Sequence, residues 1–139
     1  MSANPRINRN LEDAAFDRID HALGRPLDPQ GQTYRNVFLA DGAEAAEMAA
    51  SDWWRECAWP YGGRLFTVTE AGRAALAAHL LAIGDKHRLF TVTFEGQETE
   101  IAATSPRRAR YEAWLRLSDV RPRLTFGAFA PMARVRRAG

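Results

Sequence analysis

The hexapeptide Arg-Leu-Phe-Thr-Val-Thr at residues 64–69 recurs unchanged at residues 88–93. Each copy alternates apolar and hydroxyl side chains and is rich in aromatic and β-branched residues, which is typical of a half-buried strand. The first copy leads into an alanine-rich stretch at 70–83, which predicts a helix with Thr69 as its N-cap. The second leads into residues 94–103, which predict a hairpin. The sequence leaves open whether the two copies pair in one sheet or lie in separate sheets.

Upstream of the first copy, the sequence predicts a mostly helical unit. Residues 1–10 are polar and predict a loose arm. Apolar residues at three- and four-residue spacing predict a helix over 11–23, capped by Asn10, and another over 42–56. Between these helices, residues 34–39 are compatible with a short extended piece or a helical turn.

Downstream of the second copy, a capping Ser105 followed by proline predicts a helix over 106–118. The stripe of this helix that is expected to face the core consists of Tyr111, Trp114 and Leu115, with Ala109 and Ala113 close by. Two short extended segments are expected to follow, at 124–126 and 133–137, and the last of them is highly basic.

These elements predict an α+β protein. We expect a mostly helical unit with one strand over residues 1–84, followed by a basic ββαβ-type unit over residues 85–139, packed as one compact protein. The length of 139 residues fits one domain or two small units, and a hydrophobic content of 46% is sufficient for a core.

Several classes of protein are excluded by simple features of the chain. No apolar run approaches the ~20 residues that a membrane-spanning helix needs. The N-terminus lacks the basic and then apolar layout of a signal peptide. The single cysteine, Cys57, excludes an internal disulfide and a cysteine-rich zinc site. We therefore expect a protein of a reducing cytoplasm, with no membrane contact.

Charge is distributed unevenly along the chain. Residues 1–84 carry 8 Arg and 11 acidic residues, a net −3, whereas residues 85–139 carry 11 Lys and Arg and 6 acidic residues, a net +5. Such a basic unit favours nucleic acid or an acidic protein as partner, although ordinary solubility explains it equally well. The arginines expected to bind are Arg107, Arg108, Arg110, Arg116, Arg134, Arg136 and Arg137.

Large aromatic residues are concentrated in the stretch 53–61. Adjacent tryptophans on a helix point about 100° apart, so Trp53 and Trp54 are not expected to share the centre of one buried face. Core packing explains these aromatics most simply. Alternatively, they form a binding hot spot for a partner protein or stack on nucleobases. The residues that we expect to bind are Trp54, Trp59 and Tyr61.

Catalytic motifs are not found in the sequence. It contains no glycine-rich phosphate loop, no His-x-x-x-His pair and no Gly-x-Ser-x-Gly. The carboxylates of Glu98 and Glu100 are expected on a solvated strand edge, and His79 and Cys57 are expected to be structural. We therefore predict no enzymatic activity, no cofactor and no metal.

Two resemblances accompany this interpretation. The strand and helix at 64–83, with the Thr-x-x-Gly-Arg junction that begins at Thr69, resemble the end of a winged-helix domain. The chain also resembles small uncharacterised proteins of phages and prophages. The motifs that carry this second resemblance are Tyr34-Arg35-Asn36-x-Phe38, Val68-Thr69-Glu70-Ala71-Gly72-Arg73, Ala109-Arg110-Tyr111-x-Ala113-Trp114-Leu115, Ser118-Asp119 and Leu124-Thr125-Phe126.

The phage resemblance implies an accessory protein that binds a host macromolecule. Some accessory proteins of this size inhibit host defence, anti-CRISPR proteins among them. The partner would be a host or phage protein complex, nucleoproteins included. The alternative that remains is a nucleic-acid-binding regulator that uses the arginine-rich C-terminal unit.

Overall fold

A computed structural model describes residues 4–138 of the chain. Helices and strands are mixed along these residues, which confirms the predicted α+β class. The strands form two three-stranded antiparallel sheets, ordered β1-β3-β2 and β5-β4-β6. The helices are α1 (Ala14–Ala22), α2 (Gly42–Ala49), α3 (Glu70–Ala82), α4 (Pro106–Ser118) and α5 (Phe126–Phe129). The strands are β1 (Phe38–Ala40), β2 (Trp54–Cys57), β3 (Arg64–Val68), β4 (Arg88–Phe94), β5 (Gln97–Ala103) and β6 (Arg134–Arg137).

The two copies of the hexapeptide do not pair with each other. The first copy forms β3, which lies between β1 and β2, and the second forms most of β4, which lies between β5 and β6. The chain also divides into two compact units. Arg6–Asp85 is the N-terminal unit, and the described residues from Lys86 onward, together with Asn4 and Pro5, are the C-terminal unit. The same six residues thus form the central strand of a sheet in each unit.

The N-terminal unit contains three strands where the sequence predicted one. The added strands are β1, which lies in the ambiguous stretch 34–39, and β2. Phe66 and Val68 of β3 face the core and pack with residues of α1, α2 and α3. The largest side chains of this core that are fully buried are Ile19, Leu23, Met48, Phe66 and Leu76.

The helix predicted over 42–56 is wrong in its second half, because α2 ends at Ala49. The backbone then turns at Ser51, whose hydroxyl accepts from Trp53 N at 3.1 Å and whose carbonyl accepts from Trp54 N at 3.4 Å. Trp54 pairs with Val68 in the sheet. Serine side chains compete with helical hydrogen bonds, which favours an end to the helix here. Residues 54–57 pair with β3 instead of continuing the helix, and the local sequence pattern does not indicate this pairing.

The predicted loose arm is also wrong for residues 6–10, whereas residues 1–3 lie outside the described part of the chain. Ile7 is 7% exposed and Arg9 is 8% exposed. Arg6 forms an isolated antiparallel bridge with Pro26. The segment is ordered because its apolar and charged side chains find partners inside the N-terminal unit.

The first helix begins later than predicted. Asp13, not Asn10, is its N-cap, and the Asp13 carboxylate accepts from Ala15 N at 3.0 Å. The amide of Leu11, expected to be helical, instead donates to Asp17 Oδ1 at 3.0 Å. A carboxylate one turn inside the helix thus binds the backbone that leads into it.

In the C-terminal unit the predicted hairpin is confirmed. Glu95 and Gly96 have φ values of 51° and 78°, as a two-residue turn with positive φ at both positions requires. Phe90 lies opposite Ile101, and both side chains are buried beneath α4. The N-cap of α4 is also confirmed, since Ser105 Oγ accepts from Arg108 N at 3.1 Å.

Two details of the C-terminal unit differ from the prediction. The residues of α4 that are buried are Ala109 and Ala113, whereas Tyr111 is 37% exposed. Small residues let the helix approach the phenylalanine-rich sheet closely. The segment 124–126 is not extended, because Thr125 caps the short helix α5, which buries Phe129.

Candidate functional site

The aromatic stretch 53–61 is divided between core and surface. Trp54 is only 7% exposed and makes an edge-to-face contact with Phe66, at 6.4 Å between ring centroids. Trp53 packs on Phe16 at 5.1 Å. Because these tryptophans lie at and before a strand rather than on a helix, the expected 100° offset does not apply. Trp54 therefore belongs to the core and is left out of the candidate surface.

Trp59 and Tyr61 lie together on the loop that connects β2 to β3. They are 39% and 71% exposed. Their rings are 4.9 Å apart and nearly perpendicular, at 72°. Trp59 Nε1 also donates to the carbonyl of Gly62 at 3.1 Å. The loop's own contacts thus hold both rings in place at the surface.

Exposed apolar residues of β1 extend this aromatic pair. Leu39 lies opposite Leu65 on the sheet face that points away from the core, and it is 52% exposed. Val37, two residues earlier, is 42% exposed. A Cβ atom placed on Gly63 would lie 3.2 Å from Leu39 Cδ1, which shows that loop and strand are in contact. We call Val37, Leu39, Trp59 and Tyr61 the aromatic loop surface.

Two arginines near the aromatic loop surface differ in whether they are paired. Arg55 lies opposite Thr67 on the same sheet face, is exposed, and has no hydrogen-bond partner within residues 4–138. Arg64 is instead paired with Glu56 at 2.7 Å. The hydrogen bond from Arg64 lowers the pKa of Glu56, so this pair stays charged and mutually satisfied. The surface therefore offers one uncommitted cation beside an apolar area.

The predicted arginines do not form one patch. Arg107 and Arg108 are exposed in the first turn of α4, and Arg116 is exposed near its end. Arg110 is half-buried, and its Nη2 donates to the carbonyl of Ala133 at 3.5 Å. Arg110 therefore packs against its own unit more than it faces a partner.

The three arginines of β6 lie on two different faces. Arg134 and Arg136 lie opposite Thr93 and Thr91 on the sheet face away from α4, whereas Arg137 lies opposite Phe90 on the face toward α4. Arg136 is bound to Glu98 at 2.7 Å. The positive charge of the C-terminal unit is thus spread over several directions and partly neutralised.

The start of α4 combines two exposed arginines with aromatic rings. An open depression there is lined by Arg107, Arg108, Tyr111 and Phe126, together with Thr104 and Ser105. The Arg108 guanidinium lies 5.4 Å from the Tyr111 ring centroid and is paired with Glu112 at 2.6 Å. We call this group the α4 depression.

A buried charge network in the N-terminal unit was not predicted from the sequence. Asp20 is fully buried and accepts from Arg9 at 2.6 and 2.9 Å and from Arg25 at 3.2 Å. Arg25 also binds Asp17, and this hydrogen bond lowers the pKa of Asp17. Asp17, Asp20 and Arg25 lie within eight residues of one another. Arg9, in contrast, comes from the segment before the helix, and Asp85 binds Arg9 from 76 residues away. Since the network lies inside the unit, we assign it a structural role.

The described residues contain no group of three or more His, Cys, Asp or Glu that could hold a metal ion. His79 stacks on Phe16 at 4.0 Å between ring centroids, which is a packing contact. Among residues 4–138, no helix is both long and apolar enough to cross a bilayer. Comparison with protein-family models, curated proteins and solved structures finds no match for this chain.

Proposed function

We propose that this chain is a non-enzymatic, phage-type accessory protein that binds a host protein through the aromatic loop surface. In this proposal it acts as an inhibitor of host defence in the cytoplasm of the bacterial host. The observation that carries the proposal is the pair Trp59 and Tyr61, held exposed on a loop whose Gly63 contacts the exposed Leu39.

Energetic considerations favour a protein as partner for this surface. Tryptophan and tyrosine are enriched among the residues that dominate binding energy at protein interfaces. Their rings bury a large area and lose little conformational entropy, and here Trp59 is already fixed by its hydrogen bond to Gly62. Contiguous patches of exposed apolar residues on a small protein often mark interaction sites.

The motifs that carry the phage resemblance support a shared scaffold more than a shared target. The side-chain amide of Asn36 accepts from Val68 N at 2.7 Å and donates to Val68 O at 3.1 Å, so it extends the sheet beside β3. Arg73 donates to the carbonyls of Pro29 and Gly31 and thereby fixes the preceding loop. These motif residues shape the fold, and the partner has to be identified by experiment.

The test is affinity capture from lysate of a bacterial host, comparing the wild-type chain with a Trp59→Ser/Tyr61→Ser double variant. Both side chains are exposed, so we expect the variant to fold with an unchanged circular dichroism spectrum. We expect one host protein to be captured by the wild type and lost with the double variant, followed by direct binding of that purified protein.

The matched control is Leu81→Ser, which removes an apolar side chain that is 82% exposed on α3, away from the aromatic loop surface. This variant should retain the captured protein. Identical capture by the wild type and the double variant would refute the use of this surface.

Nucleic acid is the second candidate partner, and the α4 depression is the observation that favours it. Arginine side chains bind phosphates, and aromatic rings or guanidinium planes stack on unpaired bases. A gel shift with single-stranded and duplex oligonucleotides at low and high salt tests this candidate, because phosphate contacts weaken steeply with salt. We expect Arg107→Ala to reduce retardation more than Arg123→Ala, an exposed arginine outside the depression. Absence of retardation at low salt would exclude this candidate.

A further inference from the structure

A cleft lies in the C-terminal unit between the second half of α4 and the end of the β4–β5 hairpin. Its volume is about 320 Å³. Val92 and Phe129, which line it, are 2% and 1% exposed and belong to the core of this unit. The other apolar residues that line it are Phe94, Ala113, Leu117 and Val120.

The cleft exists because the facing elements do not fill the space between them. Thr99 lies opposite Val92, and Gln97 lies opposite Phe94, so β5 presents polar side chains where the β4 side of the same face is apolar. Across from them α4 presents Ala113, whose side chain is a single methyl group. Phe129 fills only the side next to Phe94, at 4.7 Å between ring centroids.

The polar groups at the rim differ in whether they are already satisfied. Arg121 is bound to Glu95 at 2.6 Å, and its guanidinium lies 5.7 Å from the centroid of the Phe94 ring. Within residues 4–138, the side chains of Gln97, Thr99 and Arg116 have no hydrogen-bond partner. The cleft therefore combines apolar walls with one uncommitted cation and two uncommitted neutral polar groups.

We infer that this cleft binds a small carboxylate with an aromatic or branched apolar body. The apolar walls remove the body of the ligand from water, and Arg116 binds the carboxylate, for which a guanidinium fork is well matched. Thr99 and Gln97 donate to the remaining oxygen lone pairs. At about 30 Å³ for each water-sized group, the volume accommodates a ligand of about ten non-hydrogen atoms.

This site is separate from the proposed function, because it uses none of the residues of the aromatic loop surface. It also differs from the α4 depression, which lies at the other end of the helix. Pockets that bind small ligands typically combine apolar walls with a few placed polar groups, as this cleft does.

The experiment is a titration of the intact, isotope-labelled chain with 3-phenylpropionate and with its neutral amide, followed by amide chemical shifts. We expect the carboxylate to shift signals of Val92, Thr99 and Arg116 in a saturable manner. The neutral amide should bind about tenfold more weakly or worse, because it lacks the charge-assisted hydrogen bond.

Two variants sharpen the test. Arg116→Gln should remove the preference for carboxylate over amide, whereas the control Arg123→Gln should keep it. Thr99→Leu should fill the cleft and reduce binding of both probes, without unfolding, because Thr99 is exposed at the rim. The tripeptide Gly-Gly-Phe separates two sources of the same chemistry: tighter binding than phenylpropionate indicates a peptide C-terminus, and weaker binding indicates a free small carboxylate.

Several results would overturn the inference. These are equal binding of acid and amide, no saturable shifts at millimolar probe, shifts confined to residues outside the cleft, and an equal loss of preference with Arg123→Gln. Because the readout is local, each of them is distinguishable from failure of the proposed protein interaction.

Discussion

At the scale of single residues, Asp20 is the centre of a buried charge network in the N-terminal unit. The sequence pattern did not indicate this network. Its carboxylate is fully buried and is compensated by the guanidinium groups of Arg9 and Arg25. Arg9, which binds Asp20, also donates to the carbonyl of Pro26 at 2.9 Å. These two contacts hold in place the N-terminal segment that the sequence predicted to be a loose arm.

Replacing Asp20 by Asn should destabilise the N-terminal unit by about 3 kcal/mol, because buried Arg9 then keeps only its longer ion pair with Asp85, at 3.4 Å. Urea unfolding followed by the fluorescence of Trp53 and Trp54 measures the change. Asp52→Asn, which neutralises an exposed aspartate, is the control and should change stability by less than about 0.5 kcal/mol. Equal stability of the two variants would show that the network contributes nothing.

The ionisation of Asp17 makes the free energy of unfolding of this unit depend on pH. The hydrogen bond from Arg25 lowers the pKa of Asp17 below its ordinary value of 3.8 in the folded chain, against an opposing effect of burial. The folded state therefore favours the ionised carboxylate. Its contribution is complete well above pH 3.8 and is lost as the pH falls through the lower folded pKa.

We expect Asp17→Asn to be less stable than wild type at about pH 6 and to approach it at about pH 2.5. The measurement is urea unfolding of both chains at the two pH values. A stability difference that stays constant with pH would contradict the linkage between Asp17 ionisation and folding.

At the scale of elements, the junction between β3 and α3 depends on a glycine. A Cβ atom on Gly72 would lie 2.5 Å from the carbonyl oxygen of Trp53 and 2.7 Å from Val68 Cγ1. The close approach lets Thr69 both cap the helix and donate to the carbonyl of Asp52 at 2.6 Å. The Thr-x-x-Gly-Arg motif therefore has a packing explanation.

Gly72→Ala should destabilise the N-terminal unit by about 1–3 kcal/mol through overpacking, although alanine favours helix. Gly127→Ala, also at a helical position, is the matched control, because no atom lies within 4 Å of the added methyl group. The control should be neutral or slightly stabilising. Thermal unfolding compares the two, and a stabilised Gly72→Ala chain would disprove the close contact.

At the scale of the whole molecule, each unit has its own core. Phe66 is fully buried in the N-terminal core and Phe129 is 1% exposed in the C-terminal core. Phe66 lies in, and Phe129 packs against, a sheet whose central strand is formed by one copy of the hexapeptide. We therefore expect the stability of each unit to follow its own core.

Phe66→Ala and Phe129→Ala should each remove about 3–5 kcal/mol, the usual result of truncating a buried phenylalanine. Hydrogen exchange followed by mass spectrometry should show faster exchange mainly in the unit that carries the substitution. If either substitution accelerated exchange equally throughout the chain, the units would unfold as one cooperative body, contrary to this expectation.

The sequence predicted correctly those helices and strands whose ends are marked by capping or turn-forming residues. The caps Thr69 and Ser105 and the hairpin over 94–103 were predicted correctly, because capping and tight turns are properties of a few adjacent residues. The α+β class followed from the same elements. Trp59 and Tyr61 were proposed as binding residues, and the structure shows both to be exposed.

The tertiary structure decided which strand each hexapeptide pairs with, and this changed the fold of its neighbours. Residues 54–57 became β2 instead of the end of a helix because β3 offered an edge to pair with. Asp20 is paired with Arg9, eleven residues away, because folding packs the N-terminal segment against α1 and the loop that follows it. Caps, turns and alternation are encoded within a few residues, whereas pairing, burial and the two surfaces depend on free energies shared between segments that are distant in the chain.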